Sequence, residues 1–153
     1  MVWAIDEDHV QNYLLPRDCP RVTFSAGDGS SAQDIAHFLG ASGARHVIAV
    51  ESCWLTRIQA QRLVRYEFGR QPFELEDSTA GYWTCRAPVA PIAEVRIDNV
   101  LAELLEHDVE LRIMRSLWRL RESVIASSLE YSIIRMRNAS IPPEGVESYH
   151  PLP

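Results

Sequence analysis

The sequence has 153 residues, a net charge of −6 and 46% hydrophobic residues, which is the composition of an ordinary globular domain. A nucleic-acid partner is not expected, because phosphate binding needs a basic surface. A membrane span is not expected either, since no apolar run approaches the roughly 18–20 residues that crossing a bilayer requires. All 15 basic residues are Arg, which excludes Schiff-base chemistry and a P-loop lysine.

The cysteines and the start of the chain both favour a cytoplasmic protein. Cys19, Cys53 and Cys85 are odd in number, widely spaced and without a CxxC pair, which argues against a disulfide framework or a zinc site. Cys53 and Cys85 are expected to fill the core. The first residues contain no basic segment followed by an apolar one, so we expect no signal peptide.

Hydrophobic periodicity predicts many short strands and a few helices. Strands are predicted at residues 2–5, 21–25, 46–50, 62–68, 82–86, 92–97 and 109–114. A last strand is predicted at residues 131–137, for which a helix is the close alternative. Helices are predicted after Asp6, after Ser31, after Asp98 and after Ser116, with a short turn of helix around Trp54. Residues 69–80 are predicted to be irregular, and residues 141–153 to be a proline-rich C-terminal tail. The pattern predicts one α+β domain over residues 1–140, with a mostly antiparallel or mixed sheet and three to four short helices.

The predicted strand at residues 62–68 has alternating side chains, which is typical of a strand with one buried face. Val64, Tyr66 and Phe68 are expected to face the core. Arg65 and Glu67 are then expected to face solvent.

The strongest local motif is Gly27-Asp-Gly29-Ser-Ser-Ala32, which has the G-x-G-x-x-A spacing of a dinucleotide-binding turn. In such a turn, glycines let the backbone reach a pyrophosphate at a helix N-terminus. However, strand 21–25 alternates instead of being wholly apolar, and Asp28 would repel the pyrophosphate. We therefore favour a surface turn followed by a capped helix, and keep a Rossmann-type dinucleotide binder as a third hypothesis.

Two further groups near the N-terminus have residue types that carry chemistry. Cys19 lies between Arg17 and Arg21, whose guanidinium groups favour a thiolate. No histidine partner can be placed beside it, so a surface-loop cysteine is favoured over a nucleophile. The acids of residues 6–9 suit the first turn of a helix, where the dipole favours negative charge, so no metal is predicted. No cofactor is predicted.

The C-terminal third of the domain is rich in arginine. Between Glu110 and Arg137 there are six Arg, three Glu and no Asp, and Arg135 and Arg137 would share one face of the last predicted strand. One interpretation is a solvated face with ion pairs. The other is a site for a small anionic ligand, since a guanidinium group suits phosphate and carboxylate.

Several sequence blocks resemble an uncharacterised bacterial family of small proteins, a domain of unknown function. The blocks are residues 2–9 (VWAIDEDH), 16–21 (PRDCPR) with Tyr13 before it, 63–68 (LVRYEF), 81–83 (GYW) and 126–139 (ASSLEYSIIRMRNA). The resemblance covers most of the chain up to Ala139. Proteins of this family begin with an earlier segment of the type Leu-Tyr-His-Phe-Ser, so we expect that the present chain lacks an N-terminal strand.

The order of these blocks is also similar, at the level of the fold, to the ADP-ribosyltransferase group. The similarity implies that strand 2–5 is the second motif strand of that group and that Tyr13 stacks on a nicotinamide. The glutamate that those enzymes use is not matched, because Ala87 stands where a strand glutamate would be sought. The implied enzyme is a weak or lost transferase.

Two function hypotheses therefore lead. The first is a small-molecule or nucleotide (NAD-like) binding domain, with His9, Tyr13, Arg17, Arg135 and Arg137 near one pocket that takes a small anionic ligand. The alternative is a non-enzymatic structural or interaction protein whose blocks are held by packing alone. The unpaired strand edge expected at the N-terminus also predicts a homodimer.

Overall fold

A computed structural model of the chain describes residues 1–78 and 80–146. In these ranges the strands are β1 (Val2–Ile5), β2 (Arg21–Ser25), β3 (His46–Glu51), β4 (Leu63–Glu67), β5 (Glu74–Asp77), β6 (Tyr82–Cys85), β7 (Ala93–Ile97), β8 (Val109–Met114) and β9 (Glu130–Ile134). The α-helices are α1 (Ala32–Phe38), α2 (Leu55–Ala60), α3 (Val100–Glu106) and α4 (Trp118–Ile125). Short 3₁₀ helices occupy Val10–Tyr13, Ser52–Trp54 and Met136–Asn138. The predicted single α+β domain is confirmed.

The strands form three small sheets. The largest has the order β8-β3-β2-β9, in which β3 and β8 are parallel and the other neighbours are antiparallel. A second sheet, antiparallel throughout, has the order β1-β6-β5, and β4 pairs with β7 in the third. The mixed and antiparallel pairing agrees with the predicted fold class.

Alternate side chains of β3 face opposite sides of the four-stranded sheet and begin two hydrophobic clusters. Ile48 and Val50 pack with residues of α2 and α3, in what we call the α3 cluster. Val47 and Ala49 pack with residues of α4, in what we call the α4 cluster. All four side chains are fully buried, so both faces of this sheet are covered, which explains the continuous apolar sequence of β3.

The predicted faces of β4 are reversed in the structure. Val64 and Tyr66 are exposed, whereas Leu63 packs against the α3 cluster. Arg65 lies on the inner side and is paired with Glu103 of α3 at 2.6 Å and with Glu67 at 3.0 Å. The prediction was wrong because ion pairing lets the charged side chain of Arg65 lie inward, while the aromatic ring of Tyr66 faces outward.

Several element boundaries also differ from the predictions. The segment predicted to be irregular contains β5, and the last strand ends at Ile134 because Arg135 adopts a left-handed conformation with φ 56°. Asn99, not Asp98, caps α3 by accepting a hydrogen bond from the Ala102 amide at 3.1 Å. The helix predicted after Asp6 is only the 3₁₀ helix Val10–Tyr13.

The glycine motif forms the turn that leads into α1. The side chain of Ser31 accepts a hydrogen bond from the Asp34 amide at 3.1 Å, so the predicted helix cap is confirmed. A Cβ atom on Gly27 would overlap the side chain of Glu130 on the neighbouring strand. Because β2 and β3 on either side of α1 are antiparallel, they do not form the parallel βαβ unit of a Rossmann-type dinucleotide site.

Part of the predicted tail lies in the described ranges. Ile141 is exposed, but Val146 packs against the α4 cluster, and the indole of Trp118 donates to the Ser140 carbonyl at 2.7 Å. The chain is therefore in contact with the domain beyond residue 140. Residues 147–153 of the predicted tail lie outside the described residues.

Candidate functional site

A broad groove of about 1190 Å³ lies where the second and third sheets meet helix α3. Its walls are formed by β1, β6, the C-terminal end of β4 with the loop that follows, and the C-terminal half of α3. The groove is large enough for a small molecule.

Aromatic side chains dominate the lining of the groove. The chain has 4 Trp, 5 Tyr and 4 Phe residues, and more than half of them line this single groove. They are Trp3, Tyr13, Tyr66, Phe68, Phe73, Tyr82 and Trp83. Trp3 is 55% exposed and Tyr66 is 54% exposed, so these rings present flat apolar faces to solvent instead of filling the core.

The charged lining of the groove is mostly acidic, but part of it is neutralised. Burial lowers the pKa of Arg65, but its hydrogen bonds to Glu67 and Glu103 have the larger effect and raise the pKa overall. The positive charge of Arg65 is therefore paired with these two carboxylates. Glu7 and Glu106 are exposed and have no ion-pair partner among the described residues. The groove therefore offers two free carboxylates as hydrogen-bond acceptors.

A pair of tyrosines lies in the groove. The hydroxyl of Tyr13, from the short 3₁₀ helix, is hydrogen-bonded to the hydroxyl of Tyr82 on β6, and the two rings are arranged edge to face with centroids 6.2 Å apart. Burial and this hydrogen bond raise the pKa of Tyr13 above its ordinary value, so the Tyr13 hydroxyl keeps its proton at neutral pH.

Arg21 is a buried cation that is not part of the groove lining. Arg21, at the start of β2, is 3% exposed and makes no ion pair with any described carboxylate. Its Nη1 donates to the carbonyls of Cys19 at 3.0 Å and Pro16 at 3.4 Å, while its Nε has no partner in the described chain. Burial lowers its pKa, and the groups that act on it electrostatically include Tyr13, Tyr82 and Arg135.

The structure brings the predicted arginines of the two end blocks close together in the fold. Asn138 donates to the Asp18 carbonyl at 2.8 Å, which joins the 3₁₀ helix Met136–Asn138 to the loop that contains Arg17. Arg17 and Arg137 are exposed and lie next to these bonded residues. Arg135 is partly buried and follows Ile134, the residue of β9 that pairs with Arg21 of β2.

His9 lies at the edge of the groove, in contact with Asp6. Its Nδ1 is 2.6 Å from the Asp6 carboxylate, which also accepts a hydrogen bond from the His9 amide at 3.1 Å. Gly81 makes this geometry possible, since its φ is +69° and a Cβ atom there would lie 2.6 Å from Asp6 Oδ1. The pair orients the imidazole ring, and the Gly81-Tyr-Trp83 block supplies both this glycine and two groove aromatics.

The cysteines have environments that differ from those predicted. Cys19 is buried, not on a surface loop, and burial raises the pKa of its thiol to about 11, so a reactive thiolate is not formed there. Cys53 was expected in the core but is exposed, whereas Cys85 is buried as predicted. Arg21 on β2 and Tyr82 on β6 were not singled out from the sequence, because these strands belong to different sheets and no local pattern relates them.

Comparison with known families places this geometry in context. A family model described as "Family of unknown function (DUF6886)" matches residues 1–139. The chain belongs to the DUF6886 family. No curated protein and no solved structure matches the chain.

The DUF6886 match includes every residue that lines the groove, together with Arg21 and Arg135. The predicted resemblance to a family of unknown function is therefore confirmed. In residues 1–78 and 80–146 no group of three or more His, Cys, Asp or Glu side chains is placed to hold a metal ion. No helix in the same ranges is long and apolar enough to cross a membrane.

Proposed function

We propose that this protein binds a small nucleotide-like molecule in the aromatic groove. The observation that carries the proposal is the concentration of partly exposed aromatic side chains on a concave surface, where they do not serve as core. Each ring that stays exposed in this way loses the free energy of burial, and a flat ligand that covers it recovers that free energy.

The chemistry of the lining matches the parts of a nucleoside. A base stacked on one exposed aromatic side chain gains about 1–3 kcal/mol, and the gain depends little on which base it is. The free carboxylates of Glu7 and Glu106 are acceptors of the kind that bind ribose hydroxyl groups. An anionic group of the ligand would lie at the tyrosine pair, toward the predicted site residues His9, Tyr13, Arg17, Arg135 and Arg137.

Titration with adenosine, AMP and NAD, followed by the fluorescence of the groove tryptophans, tests the proposal. Tyr66→Ala removes an exposed ring of the groove and should weaken binding by about 10-fold or more, while the fold is kept. Tyr131→Ala is the matched control, because Tyr131 is also an exposed strand tyrosine but does not line the groove.

The proposal is wrong if none of the three ligands binds at millimolar concentration. It is also wrong if Tyr131→Ala weakens binding as much as Tyr66→Ala does, because the ligand would then lie elsewhere. Circular dichroism of both variants shows whether the native fold is retained.

A further inference from the structure

The charged side chains that line the groove leave an excess of carboxylates. The lining contains five acidic residues and two arginines, and the excess of acids remains when His107 is counted as a cation. Arg65 is held between two of the acids, with N–O distances of 2.6 and 3.0 Å, so its charge is already paired. The exposed Glu7 and Glu106 are in no ion pair within residues 1–78 and 80–146. These two carboxylates therefore favour positive charge in whatever molecule occupies the groove.

The tryptophans of this protein are, with one exception, in contact with an arginine. Three guanidinium groups lie over a tryptophan ring: Arg57 over Trp54 at 4.8 Å, Arg70 over Trp83 at 5.0 Å and Arg121 over Trp118 at 6.0 Å. A cation in this position is attracted by the negative charge on the face of the ring. Trp3 has no such cation in the part of the chain that the structure describes, and it is the exposed tryptophan of the four.

One of these contacts between an arginine and a tryptophan lies in the groove. Arg70 and Trp83 both line it, and Arg70 makes no ion pair with a carboxylate of the described residues. One tryptophan of the lining therefore already carries a cation of the protein itself. The second, Trp3, is 55% exposed, and Tyr66 adds a further ring that is 54% exposed. The groove thus combines aromatic faces without a cation and carboxylates without a cation.

We infer that the ligand of the groove carries a positive charge on a flat heteroaromatic base, as N-alkylated purines and pyridinium rings do. This rests on the proposed function and deepens it, because the ligand is still a nucleotide-like molecule. A delocalised cation stacks on an exposed ring and is also attracted by the free carboxylates, whereas a neutral base gains only the stacking. A compact ammonium group would meet the carboxylates but would leave most of the aromatic surface uncovered.

Two methylated forms of adenosine test the charge of the base. N⁶-methyladenosine and 1-methyladenosine are isomers, of which the first is neutral and the second is a cation at neutral pH. In isothermal titration calorimetry, 1-methyladenosine should bind the wild-type protein about 10-fold or more tightly than its isomer. Replacing both Glu7 and Glu106 with Gln should reduce this ratio to the about 2–5-fold that the aromatic faces alone supply. Glu122→Gln, which removes an exposed carboxylate of α4 outside the groove lining, should leave the ratio unchanged.

Trp3→Leu provides a second variant, in which an exposed ring is removed and the core is left intact. It should weaken 1-methyladenosine more than N⁶-methyladenosine, because a leucine side chain has no aromatic face. Equal affinities of the two isomers for the wild-type protein would overturn the inference, as would a ratio that falls as far in Glu122→Gln as in the double variant. Both results leave the proposed function intact if adenosine binds in a manner that depends on Tyr66.

NAD⁺ and NADH distinguish the two kinds of cationic base. They share the adenosine and the phosphates, and they differ in the charge of the nicotinamide ring. Once 1-methyladenosine is preferred over its isomer, tighter binding of NAD⁺ than of NADH assigns the cation to a pyridinium ring. Equal binding of NAD⁺ and NADH assigns it to an alkylated purine.

The flat cation 1-methylquinolinium, which has no ribose, covers the case in which the proposed function fails. If no nucleoside or nucleotide binds but 1-methylquinolinium binds more tightly than neutral quinoline, and the double variant loses this preference, the groove selects a cationic ring that is not part of a nucleotide. If 1-methylquinolinium also fails to bind, the charge preference is refuted together with the proposed function.

Discussion

At the scale of single residues, Glu51 shows how a buried charge organises the end of the chain. Its carboxylate is 0% exposed and accepts hydrogen bonds from the Ser140 amide and hydroxyl, each at 2.8 Å, and from the Leu117 amide at 3.2 Å. These bonds join the end of β3 to the start of α4 and to the segment after the last 3₁₀ helix. The charge is tolerated because several donors surround it.

Replacing Glu51 with Ala should lower the free energy of unfolding by about 3–5 kcal/mol, because three buried donors lose their acceptor and a cavity is left. Urea denaturation at neutral pH measures the change. Glu94→Ala removes an exposed carboxylate of β7 and should have almost no effect. If Glu51→Ala lowers the free energy of unfolding no more than Glu94→Ala does, these hydrogen bonds do not have the structural role assigned to them.

The cysteines predict a clear order of reactivity. Cys53 is exposed, whereas Cys19 and Cys85 are buried, and the raised pKa of Cys19 keeps its thiol protonated at neutral pH. Iodoacetamide should therefore modify Cys53 first in the native protein and the other two only after unfolding. Mass spectrometry of peptides before and after denaturation gives the order. Rapid native modification of Cys19 would show that the loop around it opens.

At the scale of elements, the turn before α1 is attached to the segment before β9. Asp34 Oδ2 accepts hydrogen bonds from the Ser128 amide at 2.8 Å and hydroxyl at 2.6 Å, and the Ser31 amide donates to the Ser128 hydroxyl at 2.8 Å. The glycine motif thus serves to dock a turn against a neighbouring segment. This contact accounts for the close packing at Gly27 without a bound dinucleotide.

The contact predicts a pH dependence. The hydrogen bonds from Ser128 hold the pKa of Asp34 below its ordinary value of 3.8. Because the pKa is lower in the folded protein, the stabilisation is fully present above pH 3.8 and is lost as the pH falls below it. Asp34→Asn should therefore lower the melting temperature at pH 6, and the difference from wild type should narrow near pH 3. If the difference in melting temperature between Asp34→Asn and wild type did not change with pH, the acceptor of these hydrogen bonds would not be an ionised Asp34.

At the scale of the whole molecule, β1 is the outermost strand of its sheet, and among the described residues it pairs with β6 alone. Its open edge carries the exposed Trp3, and an apolar edge strand of this kind is a site for pairing with another chain. The homodimer expected from the sequence would form most simply by two-fold antiparallel pairing of β1 with β1 of a second copy.

Light scattering over a concentration series should therefore show a dimer that Trp3→Lys converts to monomer, because a charge on an edge strand opposes pairing. Ile92→Lys, which adds the same charge at an exposed position outside β1, should remain dimeric. A wild-type protein that stays monomeric at every concentration refutes pairing through this edge.

The sequence by itself determined most of the elements, the fold class and the family, because these depend on local periodicity and on motifs. The apolar run of β3 follows directly from the burial of both its faces, and the cap at Ser31 depends on a spacing of three residues. The alternation in β2 does not, because Arg21 and Thr23 are buried together with Val22 and Phe24. His9 and Tyr13 could also be singled out, since their block is distinctive.

Only the tertiary structure decided how the strands divide into three sheets, that β8 is parallel to β3, and which face of β4 is buried. It also decided that Tyr13 meets Tyr82, 69 positions away. Strand pairing and the burial of charges depend on partners far apart in sequence, and no local pattern records which partner a side chain will have. The groove and its tyrosine pair are therefore products of long-range contacts.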